Sequence, residues 1–314
     1  MTDAKLTFGM DSLPGSAQGC VLSVGNFDGV HLGHQRICAT ARSLADADGA
    51  GVVAITFDPL PDAVFHPDHA HQRITPVAHE ARLLGEAGAD HVVCLPTDKA
   101  LLGMSPRQFI DEIIVARFAP RRIVEGRDFA FGAGRAGTVD LLRQAGDGAG
   151  FEVHVVDEVM MELPEGPDRI SSTLIRMLLR GGRIEDANRC LGREFALYDR
   201  IVPGQGHGRI LAFPTANIHP AEQIVPADGV YAGRAKIGDE RFAAAVSVGR
   251  KPTFGPAEQT YVEAFLIDGE GDFYGQAMEL SFVARLRDQV KFETSEALQA
   301  QIAGDVQRVR EICG

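Results

Sequence analysis

Gly25-Asn26-Phe27-Asp28-Gly29-Val30-His31-Leu32-Gly33-His34 decides how the first half of this chain is read. The apolar run Cys20-Val21-Leu22-Ser23-Val24 before it reads as a buried strand, and Gln35 to Leu44 after it reads as a helix. A strand that breaks at glycines and opens a helix leaves backbone N–H groups where an anion can sit. His31 and His34 are three apart at the helix start, so both imidazoles can face one point, which suits a polyphosphate. The plainer alternative is a glycine-rich turn with two surface histidines. The strand–turn–helix context weighs against it.

Outward from this stretch, strand-like and helix-like segments alternate. Val52 to Phe57, His91 to Leu95, Arg122 to Val124 and Val153 to Val156 read as strands. His79 to Gly85 and the segment opened by Ser105-Pro106 read as helices, the latter with proline in its first turn. Repeated βα units imply a Rossmann-like parallel sheet with helices on both faces, and ligands of such sheets bind beyond the strand C-termini. Ile170-Ser171-Ser172-Thr173-Leu174-Ile175-Arg176 opens a further helix. Its hydroxyls serve either as caps or, with Arg176 one turn inside, as a second anion site.

After about Leu191 the pattern changes. Ala196 to Val202, Tyr231 to Ile237, Phe242 to Val248, Tyr261 to Ile267 and Met278 to Val283 alternate like short strands between Pro/Gly turns, which predicts a small antiparallel barrel. Leu298, Ile302, Val306 and Val309 share one face of a closing helix. The domain boundary is expected near residue 187, giving 1–187 and 188–314. In the second part Gly204-Gln205-Gly206-His207-Gly208-Arg209 precedes Phe213-Pro214-Thr215-Ala216-Asn217. Gly206 and Gly208 would let backbone approach phosphate, and the oxygens of Thr215 and Asn217 are hard ligands suited to Mg²⁺; turns between strands have a similar composition. Tyr261-Val262-Glu263-Ala264-Phe265-Leu266-Ile267 is an apolar strand with one carboxylate, on the face of Tyr261 and Phe265. Glu263 therefore calls for either a function or a cationic partner.

The composition narrows the partners. With 314 residues, 45% hydrophobic and 24% charged, the chain reads as an ordinary globular protein. A net charge of −12 with no basic run speaks against duplex nucleic acid as a partner. Five cysteines without Cys-x-x-Cys spacing fit a reducing cytoplasm better than a zinc site or disulfide framework. The first residues lack a signal-peptide pattern, and no apolar run is long enough to cross a bilayer. The expectation is a cytoplasmic monomer or weak homo-oligomer.

Taken together, these segments resemble the bifunctional prokaryotic riboflavin kinase/FMN adenylyltransferase family, commonly called FAD synthetase. Gly25 to Gln35, Thr56-Phe57-Asp58-Pro59, Gly126 to Gly132 and Ile170 to Arg176 match its first half. Phe213 to Asn217, Asp228 to Ala232 and Leu286-Arg287 match its kinase half. Leu60, Ala212 and Ser247 depart from the family's usual His, Gly and Asn. The resemblance implies a nucleotidyltransferase domain followed by a β-barrel kinase domain, with riboflavin, FMN and ATP as ligands, FMN and FAD as products, and Mg²⁺ as cofactor. It implies catalytic roles for His31, His34, Arg176 and Glu263. ATP or phosphate binding falls to Gly25, Asn26, Asp28, Gly33, Asp128, Ser172, Thr173, Gly206 and Gly208, and metal binding to Thr215 and Asn217. A single-activity nucleotidyltransferase and a flavin-binding regulator with decayed sites are the alternatives.

Overall fold

A computed structural model describes residues 4–11, 13–67, 70–203, 215–251 and 259–314, and it divides into two units, Met1–Ile170 and Ser171–Gly314. The strands of the first unit are β1 (Lys5–Phe8), β2 (Val21–Val24), β3 (Val52–Asp58), β4 (His91–Pro96), β5 (Arg122–Gly126), the short pair β6 (Ala130–Phe131) and β7 (Gly137–Thr138), β8 (Glu152–Val156), and the hairpin β9 (Met160–Leu163) with β10 (Gly166–Arg169). Six of them form a parallel sheet in the order β1-β4-β3-β2-β5-β8. Strand β2 is buried along its whole length, as a central strand covered on both faces must be.

Alternate residues feed two cores. Leu22, Val24, Val53, Ile55, Val93 and Leu95 pack on one side with Ile110, Ile114 and Phe118. Val21, Val52, Ala54, Val92 and Val124 pack on the other with Ala41, Ala45 and Leu84. The helices that cover the sheet include α1 (Leu32–Asp48), α2 (Pro61–Phe65), α3 (Val77–Glu86), α4 (Lys99–Gly103), α5 (Pro106–Gln108) and α6 (Val139–Ala149). The Ser105-Pro106 start holds as a capping box: Gln108 N donates to Ser105 Oγ, and Ser105 N donates to Gln108 Oε1 at 3.0 Å. The helix it opens does not stay α-helical, and Phe109–Phe118 continue it with the wider π-type turn.

Strand order reverses at β2. The chain passes from β2 outward through β3 and β4, then returns to place β5 on the other side of β2. β2 and β5 pair only at Val21–Arg122 and Leu22–Ile123. Beyond those residues they separate, which opens the crevice where ligands of such sheets bind.

The second unit begins with α7 (Ser172–Arg180) and α8 (Ile184–Leu191). Strands β11 (Phe195–Arg200), β12 (Thr215–Ile218), β13 (Gly229–Ile237), β14 (Glu240–Lys251), β15 (Gln259–Leu266) and β16 (Ala277–Arg287) follow, then α9 (Ser295–Cys313). The antiparallel order is β11-β16-β13-β14-β15-β12, and a single bridge from Val202 to Asn217 draws the two ends of the sheet together. Tyr231, Phe195 and Phe282 are fully buried and meet ring to ring. Helix α9 covers another face, where Val309 packs with Val230, Ala232, Phe265 and Leu286. Beside them Arg287 holds the buried Asp305 through a 2.7 Å ion pair.

One element corrects the reading from sequence. Thr215 to Asn217 are not a turn between strands but the body of β12, with half-buried Thr215 and Asn217 alternating with buried Ala216 and Ile218. Pro214 next to the strand hides it, because proline scores against a strand interior.

Candidate functional sites

The first site is built on the end of β2. Gly25 N donates to Ile55 O of β3 at 3.0 Å, so the strand is held to its neighbour up to its last residue. The chain then turns through Gly29 (φ +87°), where a Cβ would stand 3.2 Å from Ile74, and Val30 (φ +39°) into α1. His31 is the N-cap of α1, its Nδ1 accepting from His34 N at 3.4 Å. The two imidazoles stack with centroids 3.6 Å apart, and Phe27 meets His34 edge-on at 5.2 Å. The expected histidine pair is thus assembled, at the positive end of a seventeen-residue helix. Gly33 lies against it, since a Cβ there would come 3.1 Å from the His31 ring.

Asp28 does different work from that of a phosphate ligand. Its carboxylate is buried and accepts from Ile74 N at 2.9 Å and Thr75 N at 3.0 Å, which pins the segment before α3 onto the cradle turn. Arg73, the next residue back, donates to Phe57 O at 2.5 Å, to Asp58 at 2.9 Å and to Glu80 of α3 at 3.1 Å. Thr56 Oγ1 donates to the other Glu80 oxygen at 2.5 Å. Burial pushes the Glu80 carboxyl up to about 7 against the pull of Arg73 and Thr56. The Thr56-Phe57-Asp58 segment therefore works as an anchor for the cradle's surroundings. Asp128 is ion-paired with Arg169 at 2.6 Å, and Arg169 also holds Glu158 at 2.9 Å.

Glu125 was not legible as a site residue, because an acid ending a short apolar strand reads as its solvated terminus. It is instead 2% exposed, and Val24 N donates to its Oε1 at 2.7 Å across the gap between β2 and β5.

In the second unit Ser171, rather than Ser172 or Thr173, caps α7, its Oγ accepting from Leu174 N at 3.1 Å. Ser172 is half-buried, Thr173 exposed, and Arg176 buried in the second turn. The barrel brings three predicted residues together. Asn217 on β12 stands directly opposite Glu263 on β15, and Thr215 opposite Phe265. Ser247 on β14 flanks Glu263 from the other side. Directly paired residues share a face about 5 Å apart, so Asn217, Glu263 and Ser247 form one polar row across three strands. Ser247 is fixed by Gln289, whose Nε2 donates to its Oγ at 2.9 Å, and by a hydrogen bond with the Tyr261 hydroxyl. Glu263 itself is half-buried in this row. Gly206 and Gly208 lie outside the described residues.

Thr215 and Asn217 offer one hydroxyl and one amide oxygen on one strand face. That sparse, hard, oxygen-only set fits a Mg²⁺ ion bound mainly through substrate phosphates and water. Among the described residues no group of three His, Cys, Asp or Glu could hold a metal, and no helix is long and apolar enough to cross a membrane.

The family model described as FAD synthetase matches residues 13–174, and the one described as riboflavin kinase matches residues 191–313. The bifunctional riboflavin kinase/FMN adenylyltransferase of Pseudomonas fluorescens is 34% identical over 308 residues, covering 98% of this chain and 97% of the relative. That of Escherichia coli K12 is 34% identical over 312 residues, covering 99% and 98%. That of Listeria monocytogenes is 32% identical over 292 residues, covering 92% and 91%. A crystal structure described as a macrolide-efflux protein from Streptococcus pneumoniae shares the fold, with a TM-score of 0.87 and 28% identity over 97% of this chain and 98% of that one. With both models matched in order and relatives aligned nearly end to end, this chain belongs to the bifunctional riboflavin kinase/FMN adenylyltransferase family.

Proposed function

We propose that this chain makes FAD in two steps, phosphorylating riboflavin to FMN with one ATP and adenylylating FMN with a second, releasing pyrophosphate. The observation that carries the reading is that both family models are matched in one chain and each match contains its own polar constellation. For adenylyl transfer the FMN phosphate attacks the α-phosphorus of ATP. A phosphate is already a competent nucleophile, so the work reduces to positioning and charge stabilisation. His31 and His34, stacked over the first turn of α1, neutralise the transferring and bridging oxygens. Gly25, Asn26 and Gly33 supply backbone around the phosphates, and Asp28 holds the cradle to residues 74–75. The role of holding the departing pyrophosphate goes to Arg176, with Ser172 and Thr173, on the family motif in sequence alone. Asp128 orients substrate, in balance with its ion pair to Arg169.

For phosphoryl transfer the ribityl hydroxyl is a poor nucleophile and needs a base. Glu263 fills that role, taking the proton as the hydroxyl attacks the γ-phosphorus. Asn217 and Thr215 would hold Mg²⁺, which supplies charge neutralisation on the β- and γ-phosphates. Incubating purified protein with riboflavin, ATP and Mg²⁺ and separating the flavins tests the whole reading. FMN followed by FAD is expected. FAD from supplied FMN alone identifies a single-activity nucleotidyltransferase, and no product at all identifies a flavin-binding regulator.

A further inference from the structure

The carboxyl of Glu125 occupies an unusual place. β2 and β5 pair through Leu22–Ile123 and then part, so Val24 N has no β5 carbonyl in register to receive it. The Glu125 side chain reaches across and takes that hydrogen bond at 2.7 Å, one residue before Gly25, while Gly25 N is held by Ile55 on the other side. The last turn of β2 is therefore suspended between a backbone carbonyl of β3 and a side chain of β5. Everything downstream of it, from Gly25 to His34, starts from this point.

We propose that Glu125 is a positioning residue of the adenylyl-transfer site, acting through Val24 to set where the phosphate cradle begins. The inference rests on the reading of the first unit as the FMN adenylyltransferase. It also carries a dependence on protonation. Glu125 is 2% exposed, and among the described residues its hydrogen-bond partner is Val24 N alone. Burial pushes its carboxyl well above the usual carboxylate range, with the Val24 amide pulling weakly the other way. The titratable group that feels its charge is the Cys38 thiol of α1, itself pushed up to about 12 by burial first and by Glu125 second. β2 carries no charged residue. On β8 both Glu152 and His154 face Arg122 of β5, at 2.8 Å and 3.1 Å. On α1 Arg42 is bound to Asp90 and Asp48 to Arg122, and Arg36 lies in the field of Asp157. Among the described residues no cation is paired with Glu125, and the fold favours the neutral acid. Raising the pH forces a charge into the gap, and water must follow it.

The test uses the full chain and two variants. Glu125→Gln keeps size and an acceptor oxygen for Val24 N and cannot ionise. Glu125→Val removes the acceptor. Three readouts are taken: FAD formation from FMN and ATP, FMN formation from riboflavin, and amide-exchange protection of the peptide containing residues 21–28, each at pH 7 and pH 9. Glu125→Val is expected to lower FAD formation about 10- to 100-fold, as an amide left unpaired in a buried site does, and to lose protection in that peptide. FMN formation stays within about twofold of wild type in both variants, because the kinase residues lie in the other unit. Glu125→Gln retains protection and most adenylyl transfer at both pH values, because it keeps the acceptor and cannot ionise. Full FAD formation and protection in Glu125→Val would overturn the proposal, as would loss of protection in Glu125→Gln at pH 7. If wild type makes no FAD, the functional reading fails, while the protection data still decide whether Glu125 sets the strand end.

Discussion

Replacing Arg73 by Met should destabilise the first unit by an amount that grows with pH, and the growth can be calculated. Arg73 and Glu80 are both buried, with side chains 8% and 0% exposed, and pair at 3.1 Å. The Glu80 carboxyl is raised from 4.5 to about 7, by desolvation first and against the pull of Arg73. Between those two values the folded state binds a proton the unfolded state has released. Stability therefore falls as pH rises from 4.5 to 7, by about 1.4 kcal/mol per unit and about 3 kcal/mol in all, and is flat above 7. Removing the guanidinium removes the main force that lowers this value, so in Arg73→Met the fall continues above pH 7. At pH 6 both proteins carry a mostly neutral Glu80, and the variant loses the bonds to Phe57 O, Asp58 and the Glu80 carboxyl, about 2 to 3 kcal/mol. At pH 9 the variant carries a further cost of about 1.4 kcal/mol for each unit by which losing the guanidinium raises the Glu80 value.

The chain has no tryptophan, so the assay is urea unfolding followed by circular dichroism at pH 6, 7.5 and 9, with amide exchange assigning each transition to a unit. Glu80→Gln should abolish the fall between pH 4.5 and 7, and Arg73→Met in a Glu80→Gln background should cost the same at every pH. A cost of Arg73→Met equal at pH 6 and pH 9 would refute the reasoning, since it would mean that Glu80 does not titrate in this window.

Four further outcomes are expected. Glu263→Gln should lower FMN formation by about 10²–10⁴-fold and leave FAD synthesis from added FMN close to normal. His31→Ala combined with His34→Ala should do the reverse, with FMN accumulating; a flavin separation started once from riboflavin and once from FMN reads both, and loss of both activities in folded Glu263→Gln would make that residue structural. The domain boundary is proposed near residue 187, so fragment 188–314 should fold as a mostly β protein with kinase activity. Fragment 171–314, which keeps α7 and all of α8, is the comparison, and a fold seen only in the longer one moves the boundary upstream. Gly233→Ala should destabilise the barrel by about 1–3 kcal/mol, because a Cβ there would stand 2.4 Å from Ser281 O, and thermal unfolding of the full chain reads it.

The parts of the fold legible in sequence were those whose signal is local. His31 and His34 pair because three residues at a helix start set both rings on one side, and Ser105-Pro106 starts a helix because a cap and a proline suffice. The same logic exposed Glu263, a single charge on an apolar strand. What stayed hidden depends on contacts distant in sequence. Arg73 and Glu80 look like an exposed loop cation and helix acid until β3 is placed beside them, and Glu125 looks like a strand end until the pairing of β2 and β5 is seen to stop at Leu22–Ile123. Thr215 to Ile218 is four residues long, too short for alternation to declare itself next to a proline. Its role as the strand facing Glu263 emerges only from the register.

Three buried carboxylates of the first unit pose an electrostatic question, and their donor sets answer it. Asp28 accepts from the amides of both Ile74 and Thr75, and bonds of that kind favour the charged form. Glu80 has a guanidinium and a hydroxyl, yet burial still carries it to about 7. Glu125 has one amide, and burial holds it well above its ordinary value. The fewer the donors, the more completely the fold prefers the neutral acid. A site that must receive polyphosphate gains from this order, because each unit of negative charge in a low-dielectric wall repels the substrate far more strongly than it would in water. The Asp28 carboxylate is met by two N–H dipoles. Protonation of Glu80 and Glu125, together with the Arg73 cation paired to Glu80, reduces the negative field inside the first unit of a chain whose net charge is −12.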